Sequence, residues 1–435
     1  MVYYERSFFK KVGEALFSRT ELFDRVYLTA VQSDKFKTGC FSINFLRPLS
    51  RQAAAQNALI PGLLLAGCAQ YPDIRSISIQ LDRLYGASVG TLVRKKGEIQ
   101  SVGLYADFVE DALAGEPVFR PLTEFVSELL LRPCTENGGF RSDYFEMERN
   151  NLVNSMRATL NSKQAYANQE MLKAMCPDEP YGIPYQGEEE TLAGVDASAL
   201  YAQYRTLLAH SRIELFYHGR ASADEAADAF RAMLKDLPRG SIDPLPAPAC
   251  KQVARVRELE QSMPLSQSKL AMGFRARPAS AADELAAMLC FSVVYGAGSN
   301  CKLFLNVREA KSLCYYASAA YDKYKGFLRV SSGIAEENYA AARGEILRQL
   351  QDCVDGEITA EELENAKRLL NSQLRADLDN PGRLDEFYLG QAILDQRYTI
   401  PELMAAVERV DEAAVRQAAA TVQLDTVYFL RGVGE

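Results

Sequence analysis

The sequence predicts an α+β protein of two similar domains, each a mostly antiparallel sheet with helices packed on one side. Three observations carry this. A chain of 435 residues with 48% hydrophobic side chains exceeds what one core fills and suits two domains of about 200 residues. The order of elements in the first half recurs in the second, down to matching strand ends, FYHG at 216–219 and FLRG at 429–432. Between the halves, PRGSIDPLPAPA (238–249) holds four prolines in twelve residues and has little periodicity, which reads as a linker. The expected boundaries are a first domain at 1–238, a linker at 239–249 and a second domain at 250–435.

In chain order, alternating runs at 26–31 and 40–45, joined by Ser33-Asp34-Lys35, predict a hairpin. A helix with Pro61 inside it follows at 53–67, where proline is expected to kink or interrupt it, and a second helix at 76–85. Strands at 88–94 and 99–106 turn at Lys95-Lys96-Gly97-Glu98, and helical patterns cover 119–131 and 144–175. The first half closes with a helix at 197–208, a strand at 212–217, and a helix opened by the Ser222/Glu225 capping box. The second half gives a strand at 268–274, an apolar helix at 281–295, a short helix around Arg308, strands at 313–321 and 327–334, and a helix at 336–353. A helix opened by Thr359/Glu362 and a last strand at 426–430 end it.

A net charge of −8, with no basic run longer than Arg94-Lys95-Lys96, gives no basis for nucleic acid or an anionic membrane as partner. No apolar run approaches 18 residues, so no bilayer span is expected. Nine cysteines without a C-x-x-C pair, behind an N-terminus lacking a long apolar core, lead us to expect reduced thiols and a cytoplasmic location. His210 and His218 are the only histidines, and both read as ordinary residues at the ends of a strand. There is no G-x-S-x-G, and Gly296-Ala297-Gly298 is too short for a phosphate loop.

The stretch 295–316, YGAGSNCKLFLNVREAKSLCYY, concentrates the chemistry. Gly296 and Gly298 end one helix, Ser299 or Asn300 can cap the next, and Leu303, Phe304 and Val307 share a face of that helix. Arg308 then falls near the helix end and Tyr315 a few residues into the following strand. By residue type alone, Arg308 reads equally as a surface cation and Tyr315 as a packed strand residue. Gly296 and Gly298 read equally as helix terminators.

Lys302-Leu303-Phe304, Val307-Arg308-Glu309 and Leu313-Cys314-Tyr315 resemble the second-half motif of the pitrilysin/insulinase-like zinc peptidases, the inverzincins. The resemblance covers essentially the whole chain and implies the two-fold α+β architecture. It also implies that Arg308 and Tyr315 bind peptide opposite a zinc ion, and that the loop of Gly296 and Gly298 touches substrate. Hydrolytic members carry H-x-x-E-H on a first-half helix, two imidazoles binding zinc and a glutamate activating water. Laid on that motif, Ala58 and Gly62 occupy the histidine positions and Pro61 the glutamate position, and the third ligand falls near Ser155. Glu146 and Glu148 are the only carboxylates placed to substitute.

The expectation is therefore a chain with no metal or cofactor of its own. It would be the non-catalytic subunit of a heterodimeric zinc peptidase, lending Arg308 and Tyr315 to a homologous H-x-x-E-H chain that holds the zinc. Its partners would be that chain and a peptide substrate, with a homodimer allowed in isolation. An inert scaffold or binding protein of the same fold is the alternative. The runs KFKTGCFSINFLRPLS, ALIPGLLLAG and DRLYGAS further resemble a bacterial zinc-less subgroup named for association with 5-aminopentanol modification of elongation factor P.

Overall fold

The structure, a computed structural model, describes residues 7–12, 15–249 and 251–433. The chain forms two compact units, one of Met1–Met156, Ile183–Pro246 and Pro381–Ala392, the other of Arg157–Gly182, Ala247–Asn380 and Ile393–Glu435. It passes from the first to the second within the Pro-rich segment. In addition, each half lends one segment to the other half's unit, 157–182 in one direction and 381–392 in the other.

In the first unit, strands β1 (Ser7–Val12), β2 (Ala15–Phe23), β3 (Val26–Gln32), β4 (Thr38–Pro48), β5 (Ser88–Lys96) and β6 (Ile99–Val109) form one sheet with a later strand, Arg212–Gly219. A two-residue pair, β7 (Thr135–Glu136) and β8 (Gly139–Phe140), makes the later strand β9. The sheet order is β1-β2-β3-β9-β4-β6-β5. The predicted hairpin of 26–31 with 40–45 does not form, because β9 inserts between them, parallel to β3 and antiparallel to β4. A strand 187 positions away in register, Val26 opposite Ile213, competes better for β3 than its chain neighbour. The β5–β6 hairpin does form, turning at Gly97 with a φ of 59°.

Strand β4 shows how the layers arise. Phe41, Ile43 and Phe45 point to one face, where they pack with helices α1 (Ala54–Ala66), α4 (Phe119–Leu131), α7 (Ala197–His210) and α8 (Ala223–Met233). Helices α2 (Ile74–Arg83) and α3 (Asp111–Ala114) lie between these in sequence, as do α5 (Ser142–Ala158) and α6 (Lys163–Met175). Cys40, Ser42 and Asn44 point to the opposite face. Gly103 of β6 has no room for a side chain, since a Cβ there would lie 1.8 Å from the Ile43 carbonyl oxygen. The single helical pattern read over 144–175 is two helices: α5 ends in a 3₁₀ turn at Thr159–Asn161, and Ser162 caps α6 by accepting from the Ala165 N–H at 3.3 Å. The chain changes units just before this break, between Met156 and Arg157 in the last turn of α5.

The second unit has a five-stranded sheet of β10 (Arg257–Pro264), β11 (Ser268–Arg275), β12 (Tyr316–Asp322), β13 (Phe327–Ile334) and β14 (Gln423–Val433), in the order β10-β14-β11-β13-β12. All neighbours are antiparallel except β10 with β14. Its helices are α9 (Ala282–Tyr295), α10 (Tyr339–Asp355), α11 (Ala360–Asp377), α13 (Ile400–Arg409) and α14 (Glu412–Ala420), while α12 (Pro381–Ile393) belongs to the exchanged segment. The capping boxes at Ser222/Glu225 and Thr359/Glu362 both form. The Pro-rich segment carries no helix or strand, but its start is pinned to the first unit: Gly240 donates to the Ala209 carbonyl and Arg47 pairs with Asp243 at 2.7 Å.

Candidate functional site

Arg308 sits on a π-helix, Leu303–Ala310, where an α-helix was expected. Such helices are rare and concentrate at functional sites. Neither Ser299 nor Asn300 caps it; the Cys301 sulfur instead accepts the Phe304 N–H at 3.4 Å. Leu303 and Val307 are fully buried beneath it, and Phe304 is only half-buried because its ring lies 4.8 Å under the Arg308 guanidinium. That stacking directs Arg308 along the surface, where its side chain is 42% exposed and meets Glu309 at 3.6 Å.

Tyr315 lies at the threshold of β12 rather than inside it, and its backbone N–H still donates to the Gly333 carbonyl at 2.8 Å. The side chain is 65% exposed, which removes the packed-strand reading of this tyrosine. Between the two, Cys314 is buried; burial raises its thiol pKa, against the opposing pull of a Ser332 hydrogen bond and the Arg308 charge. One short connection therefore presents a guanidinium and a phenol to solvent, both hydrogen-bond donors.

The two loop glycines differ. Gly296 is buried, its carbonyl accepts the Ala319 N–H at 2.9 Å, and a Cβ on it would fall 2.6 Å from the Ala319 Cβ and 2.7 Å from Leu303 Cδ1. It is the point where helix α9, the π-helix and β12 touch. At Gly298 the nearest atom to such a Cβ is Leu369 Cδ2 at 3.4 Å, an ordinary contact. Ala297, Ser299 and Asn300 beside it are exposed.

Sequence reasoning missed what holds the π-helix. Glu345 and Gln349, one turn apart on α10, meet it from below: Asn306 donates to Gln349 at 2.6 Å, and Lys311 pairs with Glu345. Glu345 also accepts from Gln349 at 2.8 Å and from Arg348. The Arg348 hydrogen bond, aided by Lys311 and Gln349, lowers the Glu345 pKa to about 2 in spite of burial. A Glu-x-x-x-Gln pair on an amphipathic helix has no local signal that names its partners.

In the first unit, α1 runs through Pro61 without interruption. A buried amide chain fastens the helix beside it: Gln203 donates to Asn57, Asn57 to Gln100, and Gln100 to the Ala54 carbonyl, all at 2.8–3.0 Å. Ala58 and Gly62 carry no ligand atom. A Cβ on Gly62 would lie 2.4 Å from Glu148 Oε2, so the Glu148 carboxylate covers this position, with its pKa raised by burial. Glu146 pairs with Arg149 at 2.8 Å, and Ser155 accepts a hydrogen bond from Gln186 at 3.2 Å. One half-buried carboxylate without a second donor does not fit a zinc ion. Among the described residues, no three His, Cys, Asp or Glu side chains come together in a way that could hold a metal.

The histidines stand apart from this. His210 ends α7, its Nδ1 2.7 Å from the Ser241 carbonyl. His218 is 2% exposed on β9, edge-on to Phe36, with Nδ1 unpartnered, and burial lowers its pKa to about 4.

The family model described as Peptidase M16 inactive domain matches residues 194–370, a run that includes the Arg308–Tyr315 connection. A Bacillus subtilis (strain 168) protein named Probable inactive metalloprotease YmfF is 28% identical over 404 residues, 92% of this chain and 95% of that one. The chain is thus similar to inactive members of the M16 peptidases, over 194–370 to the family model and over most of its length to the Bacillus protein. This is the family that the Arg308–Tyr315 motif resembles, and a non-catalytic protein agrees with the ligand-poor α1. A crystal structure of a conserved protein from Enterococcus faecalis V583 superposes on this chain with a TM-score of 0.88 at 27% identity, covering 97% of this chain and 100% of that one. The peptidase M16 inactive domain from Pseudomonas fluorescens shares the fold, with a TM-score of 0.79 at 15% identity over 96% and 98% of the two chains. A second Bacillus subtilis (strain 168) protein, Uncharacterized zinc protease YmxG, is 21% identical over 277 residues, 62% of this chain and 66% of that one. Among the described residues, no helix is long and apolar enough to cross a membrane.

Proposed function

We propose that this M16 homologue is the non-catalytic subunit of a two-chain zinc peptidase. It would donate Arg308 and Tyr315 to a peptide held at the zinc of a homologous chain bearing H-x-x-E-H. The observation that carries the reading is asymmetric. The metal positions are filled by Ala58, Pro61, Gly62 and Ser155, whereas the peptide-facing pair keeps both donors exposed, Arg308 on a braced π-helix and Tyr315 at the threshold of β12. A relic would have no need of the Glu345–Gln349 brace. Matches to one protein named a probable inactive metalloprotease and another named a zinc protease, both from Bacillus subtilis (strain 168), fit a division of labour between two such chains.

In this reading Arg308 and Tyr315 donate hydrogen bonds to the substrate carbonyl as negative charge develops on its oxygen. Gly298 and its exposed neighbours are the loop residues placed to meet the peptide, and Gly296 supports them from beneath. Zinc belongs to the partner, and this chain needs no cofactor. The test begins with tagged chain recovered from its native lysate, where a stoichiometric partner of similar size bearing H-x-x-E-H is expected. In the reconstituted pair, Arg308→Ala should lower kcat by about 10²–10³ with assembly intact. Turnover within twofold of the parent would leave the fold as an inert scaffold.

A further inference from the structure

Between Arg308 and Tyr315 the chain turns from helix into strand, and both ends of the turn are fixed. On the helix side, Val307 is fully buried and Lys311 pairs with Glu345. On the strand side, Cys314 is buried and the Tyr315 N–H is held by the Gly333 carbonyl of β13 at 2.8 Å. Between these anchors lies Ser312, whose φ is 52°.

Two nested hydrogen bonds close the helix over this residue. The Ser312 N–H donates to the Arg308 carbonyl at 3.0 Å, and the Leu313 N–H to the Val307 carbonyl at 2.9 Å. This is the nesting of a helix end with a left-handed cap, each bond spanning one residue more than after an α-helix, as π winding requires. Lys311 before it is still right-handed, with φ −105° and ψ −10°. The reversal of direction therefore falls on Ser312. Glycine is the usual occupant of such a cap, because a Cβ there crowds the following carbonyl. Ser312 bears that crowding without compensation: it is exposed, and among the described residues its hydroxyl has no hydrogen-bond partner. A side chain in this conformation persists only where its surroundings dictate it, and such residues gather at functional sites.

We infer that Ser312 is a positioning residue for the Arg308–Tyr315 pair: its left-handed backbone, not its hydroxyl, sets the angle between the helix end that carries the guanidinium and the strand that receives the phenol. Returning φ to the ordinary helical value would turn the chain by about 115° at this point, a rotation that the anchored Val307 and Tyr315 cannot both follow. Two donors aimed at one carbonyl oxygen tolerate little of this, since a misplacement of about 1 Å can cost about 10²-fold in rate. The inference rests on the reading of Arg308 and Tyr315 as peptide donors.

The experiment compares Ser312→Ala, Ser312→Asn and Ser312→Val in the full chain. Asn adopts the left-handed conformation readily, Ala about as seldom as Ser, and the β-branched Val least. In the chain alone, amide hydrogen exchange at Leu313 and Tyr315 should be unchanged by Ala, which removes only the hydroxyl, unchanged or slowed by Asn, and quickened about tenfold or more by Val. Ser312→Thr takes the place of Val if that variant does not fold. In the pair reconstituted with the H-x-x-E-H chain, Val should lower kcat by about 10–10² with KM and assembly unchanged, while Asn, the variant suited to the turn, keeps the parent's kcat. Exchange indifferent to the whole series, or quickened by Ala as much as by Val, would overturn the inference. So would an unchanged kcat of the Val variant in a pair that Arg308→Ala impairs, a result the peptide-donor reading would survive. If Arg308→Ala is itself silent, that reading falls, and exchange at Leu313 and Tyr315 alone decides whether Ser312 holds the connection.

Discussion

Replacing Glu179 by Gln tests how the lent segment is fastened. The carboxylate is buried, with Arg275 reaching it through two nitrogens at 2.6 and 3.0 Å and Lys325 at 2.6 Å; Arg275 in turn donates to Asp425 at 3.0 Å. Burial alone would push the Glu179 pKa up, but hydrogen bonds and charge from Arg275 and Lys325 outweigh it and bring it from 4.5 to about 2. A difference of about 2.5 units at about 1.4 kcal/mol each amounts to roughly 3 kcal/mol. The folded pKa is the lower one, so this contribution is full above about pH 4.5 and drains away as the pH falls toward 2. Urea unfolding followed by near-ultraviolet circular dichroism should show Glu179→Gln less stable by about 3 kcal/mol at pH 7, with the gap narrowing below pH 4.5 and closing near 2. Adding Lys325→Met to Glu179→Gln should recover part of the loss, since it removes a buried cation left without its carboxylate. A gap that stays constant from pH 7 to pH 2.5 would refute the reasoning, because it would place the cost in packing instead of charge.

Other perturbations probe the remaining parts. His218 is neutral in the fold, so between about pH 6.5 and 4 the unfolded chain takes up a proton that the folded chain refuses; stability should fall by up to about 3 kcal/mol as pH drops through that window. Its Nδ1 makes no hydrogen bond, and urea midpoints of His218→Leu should therefore lose this slope. Glu345→Ala should free both Lys311 and the α10 side of the π-helix, and amide hydrogen exchange over 303–312 should quicken by about tenfold or more, whereas the exposed Glu309→Ala leaves it unchanged. Gly296→Ala forces a methyl against Ala319 and Leu303 and should cost about 1–3 kcal/mol in thermal or urea unfolding. Gly298→Ala should stay within about 0.5 kcal/mol of the parent.

The parts of the fold legible in the sequence were those written locally. Ser222/Glu225, Thr359/Glu362 and the β5–β6 turn at Gly97 each depend on residues within a few positions of one another, and each forms as read. What escaped is long-range. Nothing near Val26–Gln32 reveals that its partner is β9 and not β4, since alternation specifies a buried face without naming the neighbour. The motif residues were legible by type, but their presentation was not. An α-helical reading of 303–310 places Phe304 in the core, whereas the wider π turn brings it up under Arg308.

The exchanged helices explain a further gap. α12 carries buried residues all round, Leu384, Asp385, Phe387, Tyr388 and Gln391 among them, so it has no single apolar stripe to betray it as a surface helix. Such a helix needs a polar socket for its charge, and Arg94 and Ser42, nearly 300 positions or more earlier, supply it. The same logic holds for Glu179 against Arg275 and Lys325. In both places a buried carboxylate finds its hydrogen-bond partners on the other half of the chain. Charge thus does in this fold what periodicity cannot: apolar burial accepts many helices, but a carboxylate at Asp385 or Glu179 tolerates only a face with the matching cations. If that is what selects each lent helix for its sheet, Asp385→Leu should loosen selection more than affinity. A severed chain carrying it would be expected to accept a competing apolar helix peptide that the parent rejects, and equal rejection by both would show that shape alone does the selecting.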